Sequence, residues 1–236
     1  MHIMEGFLPS PWWQIWWILA LPCLIYGLYK LKKIMDTNRE LLPLLGIAGG
    51  FIFVLSALKL PSVTGSCSHP TGTALSAITF GPWITAVLGC IVLLFQSLFL
   101  AHGGLTTLGA NMVSMAIVGP FVGYYIYKAL DRLNVNFFVN VFIAAFLCDL
   151  VTYCVTALEL ALAFPDTSGG LIPSFAAFLG VFAVTQIPLA IVEALVFVVI
   201  FKYIVILKPE MLLKLKVLTD TKMETVKGGL QNEVSV

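Results

Sequence analysis

The sequence predicts an all-α, polytopic membrane protein, and three observations carry that reading. Mean hydropathy is +1.01. Of the 236 residues, 60% are hydrophobic and only 11% are charged, against about 25% charged in ordinary soluble domains. Apolar runs long enough to cross a bilayer recur along the chain, and the basic residues collect between and after them. Twelve of the thirteen Lys and Arg, all but Lys202, lie at span ends or in the tail. A net charge of +1 offers no basic surface for nucleic acid. The expected surroundings are a lipid bilayer.

Spans are predicted near 12–31, 41–60, 82–101, 107–128, 137–163 and 175–207. A further segment, 69–80, is compatible with a helix but short; at 1.5 Å per residue it covers about 18 Å of a hydrocarbon layer about 30 Å thick. The positive-inside rule decides whether it crosses. Lys30, Lys32, Lys33 and Arg39 follow the first span, which puts that loop in the cytoplasm and the N-terminus outside. Lys128 and Arg132, and then Lys208, Lys214, Lys216, Lys222 and Lys227, fall inside only if 69–80 crosses together with residues just before it. Lys59 alone is then left outside. The expected architecture is seven helical segments, one of them short, N-terminus out and C-terminus in. Residues 1–208 form the transmembrane domain, beginning with segment 1–10, and 209–236 a polar cytoplasmic tail. Pro22, Pro120 and Pro188 should kink their spans. Small residues four apart at Gly119/Gly123, Ala157/Ala161 and Ala190/Ala194 allow close helix approach, within the bundle or to another protein.

Chemistry concentrates at the start of the chain. Met1-His2-Ile3-Met4-Glu5-Gly6-Phe7-Leu8-Pro9 has no basic n-region and no cleavage site after a hydrophobic stretch, so it is expected to persist with Met1 in place. The Met1 amine and the His2 amide close a five-membered chelate ring, and the His2 amide and Nδ1 close a six-membered one. An amide nitrogen coordinates only after losing its proton, which demands a strongly polarising late transition ion. Three coplanar nitrogens plus one imidazole make a square-planar set that suits Ni(II), Cu(II) and low-spin Co(II). Mg(II), Mn(II) and Ca(II) prefer oxygen, and Zn(II) prefers a tetrahedron.

His69 is the expected fourth corner. It sits in Pro61-Ser62-Val63-Thr64-Gly65-Ser66-Cys67-Ser68-His69-Pro70-Thr71-Gly72-Thr73, backbone suited to lining a cavity, with Pro70 biasing His69 toward an extended conformation. The chain has three histidines, and the topology places His2, His69 and His102 together at the external face although no histidine entered the topology argument. His102 precedes Gly103-Gly104 and reads as a supporting donor, a ligand met on the way in, or an exposed loop residue. Asn111, at the external end of its span, can orient a ligating ring or amide, and Ser68 is a further supporting candidate. Cys67, two residues before His69, is a candidate ligand. Cys23, Cys90, Cys148 and Cys154 lie in apolar runs and read as small hydrophobes. Asp149, Glu159 and Glu193 lie within spans, where a charge is placed at a cost of about 2.5–3.5 kcal/mol on insertion scales. Asp149 and Glu193 read as an ion relay or as structural hydrogen bonds between helices, and Glu159, nearer an outer end, as solvated. No GxxxxGK[ST] phosphate loop and no HExxH helix is present, so nucleotide hydrolysis would fall to other subunits. An intramembrane enzyme or channel built on Asp149 and Glu193 is the alternative class.

With those residues in view, the chain resembles the CbiM/NikM family of substrate-specific components of energy-coupling-factor metal importers. The resemblance rests on Met1 to Pro9, on Pro61 to Gly72 with His69, and on Gly103 to Asn111 followed by Met112-Val113-Ser114-Met115. It covers nearly all of residues 1–208. It implies a seven-helix bundle whose N-terminal segment plugs the centre from outside, with Met1, His2 and His69 as metal ligands. It implies a transported ion rather than a cofactor: cobalt(II) for cobalamin synthesis by the Met4-Glu5 wording, or nickel(II) as the alternative. The implied partners are a small accessory membrane subunit (CbiN), a transmembrane coupling subunit (CbiQ) and cytoplasmic ATPases (CbiO).

Overall fold

The computed structural model describes residues 2–61 and 66–234, with side chains omitted at 61 and 231–234. After a two-residue strand β1 (His2–Ile3), the chain forms α1 (Trp12–Thr37), a single 3-10 turn (Arg39–Leu41) and α2 (Leu42–Ala57). Strands β2 (Leu60–Pro61) and β3 (Ser66–Ser68) precede α3 (Thr73–Phe80) and α4 (Pro82–Phe99). Then follow α5 (Leu108–Asn111), a π-helical stretch (Met112–Val118), α6 (Gly119–Arg132), α7 (Phe137–Ala163), α8 (Leu171–Leu207), α9 (Pro209–Lys214) and α10 (Asp220–Val234).

Among the described residues, six helical segments are long and apolar enough to cross a membrane: Trp12–Thr37, Arg39–Ala57, Pro82–Phe99, Leu108–Arg132, Phe137–Ala163 and Leu171–Leu207. The short seventh is α3, and only Thr73–Phe80 of the expected 69–80 is helical. Residues 69–72 precede it as an irregular strap, kept out of the helix by Pro70 and by Gly72 at φ 73°. Pro120 lies just after the π-helical stretch. It lacks the N–H that would bond the Ala116 carbonyl, and a widened turn absorbs that loss. Pro22 and Pro188 stay inside α1 and α8. Large apolar side chains face outward on those two helices, Ile18 at 66% and Val184 at 76% exposure, as a lipid-facing surface requires.

The helices run between two ends of unlike character. One end gathers β1, β2, β3, the 100–107 loop and the α7–α8 turn, where Phe7 and Phe164 lie 5.0 Å apart. The other gathers Glu40, Asp131 and the tail: Lys222 pairs with Asp131 at 2.5 Å, Lys214 pairs with Glu40, and Tyr127 donates to the Val217 carbonyl at 3.0 Å. Tail residues Leu212, Val217, Leu218, Met223 and Leu230 are buried and join the cluster of Phe137, Phe197, Phe201 and Val205.

The small-residue pairs all face inward. Ala157, Ala161, Ala190 and Ala194 have no exposed surface. A Cβ on Gly123 would lie 2.8 Å from Cys148 Cβ and 3.2 Å from the Ala144 carbonyl oxygen, so α6 rides directly on the α7 backbone. Gly123→Val should therefore overpack this crossing and destabilise the bundle by about 1–3 kcal/mol. The melting temperature of detergent-solubilised protein measures it, and an unchanged value would contradict this crossing.

Candidate metal centre

The centre is built on a three-stranded antiparallel sheet in the order β1-β3-β2. In β1–β3, His2 stands opposite Cys67 and Ile3 opposite Ser66; in β2–β3, Leu60 stands opposite Ser68. Directly opposed residues project from the same face of a sheet, and alternate residues along a strand share that face. His2 and Cys67 therefore lie on one face, with His69 continuing it just past the end of β3. Ser68 points the other way and meets Thr185 of α8 with its oxygens 2.8 Å apart.

The free edge of β1 is completed by a side chain. The Ile3 N–H donates to Asn111 Oδ1 at 2.7 Å, and Asn111 Nδ2 donates to the Ile3 carbonyl at 3.0 Å. That amide thus stands in for a further strand. Thr107 Oγ1 also donates to the Ile3 carbonyl at 2.8 Å, while Glu5 accepts from the Thr106 hydroxyl at 2.5 Å. Gly103-Gly104 makes this docking possible. Gly103 adopts φ 77°, and a Cβ on Gly104 would lie 2.2 Å from Glu5 Oε2 and 2.4 Å from Glu5 Cα.

His69 is held from behind. Its Nδ1 lies 2.7 Å from the Pro70 carbonyl oxygen, which can only accept, so Nδ1 carries the proton and Nε2 presents a bare lone pair. That Nε2 faces His2 Nδ1 in direct contact. Gln186 Nε2 donates to the His69 carbonyl at 3.1 Å and to both oxygens of Asp149 at 2.9 and 2.8 Å. Glu193 accepts from Thr71 N–H at 2.6 Å, Thr71 hydroxyl at 2.9 Å and Gly72 N–H at 2.9 Å. The 69–72 strap is thereby pinned to α7 and α8.

His102 closes the cluster. Ring centroids lie 4.3 Å apart for His2–His69, 4.2 Å for His2–His102 and 5.1 Å for His69–His102. Cys67 Sγ is 2.9 Å from His102 Nε2. One donor atom from each of His2, Cys67, His69 and His102 falls within 4.8 Å of the others, and all four residues are buried. His2 Nε2 and His102 Nδ1 are buried without a hydrogen-bond partner. Burial, and after it the neighbouring rings, holds His2 well below the usual imidazole value, and His69 is lowered in the same way. Burial pushes His102 down to about 4 and the Cys67 thiol up. The rings are thus neutral with lone pairs available, the state in which imidazole coordinates.

Of the residues singled out in the sequence, His2, His69, His102 and Cys67 meet in one place. Met1 lies outside the described residues, as do Ser62 to Gly65. Asn111 supports the centre through Ile3 rather than through a ring, and Ser68 turns away to α8. Asp149 and Glu193 serve the strap. Glu159, expected to be solvated, is instead fully buried, with neither carboxylate oxygen hydrogen-bonded. Gln186 was not anticipated; the available signal was a polar residue seven positions before Glu193 on the same helical face of an apolar run.

A polytopic helical bundle that closes one end over a buried set of nitrogen and sulfur donors has the build of a membrane component for a soft or borderline metal ion. The chain belongs to the CbiM family, described as cobalt uptake substrate-specific transmembrane region, whose model matches residues 2–211. Cobalt is the transported substrate of this family, which is a transport component and not an enzyme. A relative from Methanosarcina barkeri with CbiM 1 in its name is 59% identical over 227 residues, spanning 96% of this chain and 98% of its own. The cobalt transport protein CbiM of a Nostoc species is 56% identical over 218 residues, 92% of this chain and 84% of its own. Among solved structures, a transition metal transporter superposes with a TM-score of 0.75 at 29% identity, covering 86% of this chain and 92% of that one.

Neutral buried rings also set a pH dependence. Free imidazoles protonate near 6.5, whereas the docked rings resist protonation, His102 down to about 4. Between those values the folded state binds fewer protons than the unfolded one, so stability falls as pH falls below about 6.5. Metal-free protein should melt at a lower temperature at pH 5 than at pH 7, with a smaller drop in His102→Gln. A melting temperature indifferent to pH over this window would refute ring burial.

Proposed function

We propose that this chain is the substrate-binding component of an energy-coupling-factor type importer that takes up cobalt(II), feeding cobalamin synthesis. In this reading the Met1 amine, the His2 amide and Nδ1, and His69 Nε2 hold the ion in a planar four-nitrogen set. The observation that carries it is the facing of His69 Nε2, its lone pair freed by the Pro70 carbonyl, onto His2 Nδ1. A cation between these two atoms replaces a contact that the strap and β1 impose on them. The family match supports cobalt as the cargo.

The asymmetry of the two ends supports the orientation. Lys59 lies near the histidine end, beside β2, while Lys214 and Lys222 make their ion pairs at the other. The positive-inside rule then puts the centre outside, with N-terminus out and C-terminus in. Residues 1–208 are the membrane domain, and 209–236 present a cytoplasmic face. Energy comes from partners: ATPase subunits (CbiO) through a coupling subunit (CbiQ), with a small accessory membrane subunit (CbiN).

A calorimetric titration of purified protein beginning at Met1 tests the ligand set. Cobalt should bind one ion per chain. His69→Ala, or one residue added before Met1, should weaken binding by about 100-fold or more, since changes one shell further out already cost 10–100-fold. Wild-type affinity in either protein removes that ligand from the set.

A further inference from the structure

Cys67 is, with His102, one of two cluster donors for which a planar four-nitrogen set has no use. It is nevertheless the residue that the strand register puts directly opposite His2, on the face that His69 continues. It is buried, and its Sγ contacts His102 Nε2 at 2.9 Å. The other ring nitrogen of His102 is buried and unpartnered, so the pocket holds polar groups that the protein itself does not satisfy. The donor atoms of Cys67, His2, His69 and His102 all lie within 4.8 Å of one another, which lets a single ion reach both the imidazoles and the sulfur.

We infer that Cys67 supplies a fifth, sulfur donor to the bound ion, out of the nitrogen plane, and that this contact favours cobalt(II) over nickel(II). The inference rests on the four-nitrogen reading above. Low-spin cobalt(II) is d7, and in a square plane its half-filled orbital along the perpendicular axis accepts one axial donor. Low-spin nickel(II) is d8, fills that orbital and repels an axial lone pair. Nitrogen donors alone favour nickel, so an axial sulfur reverses the preference where planar nitrogens cannot. On binding, the Sγ–H bond breaks and its electron pair forms the cobalt–sulfur bond, since a metal-bound thiol is held deprotonated. The thiol proton leaves to bulk water, which reaches the neighbouring loop where Ala101 and Leu105 are exposed. The metal keeps its oxidation state.

Anaerobic titration of the full chain with cobalt(II) chloride, followed in the near ultraviolet, reads the sulfur directly. A sulfur-to-cobalt charge-transfer band should grow with occupancy, be lost in Cys67→Ser, and be accompanied there by an about tenfold fall in the cobalt-to-nickel affinity ratio. X-ray absorption of cobalt-loaded wild-type protein needs no variant; it should show one sulfur at about 2.3 Å, the usual metal–thiolate distance. Stoichiometric cobalt binding with no band and no sulfur scatterer would overturn the role of Cys67 while leaving the nitrogen site standing. Failure of the wild-type protein to bind cobalt at all would instead overturn the proposed function.

Discussion

Everything at the histidine end depends on the pairing of β1 with β3. Two residues of strand are far too few to be stable alone in water. They hold because both edges are occupied, one by Ser66–Ser68 and the other by the Asn111 amide acting as a strand surrogate. The pairing turns a chain end, ordinarily the most mobile part of a protein, into a buried wall of the bundle with Ile3 in its core. Register then does the chemistry. A slip of one residue would send the His2 ring to the opposite face, toward the side where Ser68 meets Thr185.

Charge is arranged around that wall with equal economy. The buried residues described here include three imidazoles and three carboxyl groups but no Lys or Arg. Two of the carboxyl groups sit directly behind the strap that carries His69, spending their hydrogen bonds on its backbone and on Gln186. Behind the centre the described interior therefore offers carboxyl groups and no buried Lys or Arg. A low-dielectric bundle needs such a setting before it admits a divalent ion. Glu159, buried without a hydrogen bond, adds a third carboxyl group further along α7.

Much of this was legible in the sequence because hydropathy and charge act over whole spans. The boundaries expected for α7, 137–163, coincide with the helix found. The convergence of His2, His69 and His102 followed from topology alone. The sheet was not legible: strands of two and three residues carry no period to detect, and their pairing joins residues far apart in the chain. Without the sheet, the side to which Cys67 points could not be read, nor could the part played by Asn111. Asp149 and Glu193 were visible as acids within spans, but the partners of Glu193 lie in the strap, more than a hundred positions away, and Asp149 accepts from Gln186 of the next helix.

The strap also governs when the centre comes into being. Its backbone is held by Gln186 and Glu193, and the first strand by Asn111, so the N-terminal residues made first must wait for nearly the whole chain before their surroundings exist. Contacts of such long sequence separation form late in folding. A nascent or truncated chain displays His2 without the walls that orient it, and only the completed bundle offers a formed centre. The walls around His2 are complete only once the last spanning helix has packed against the strap.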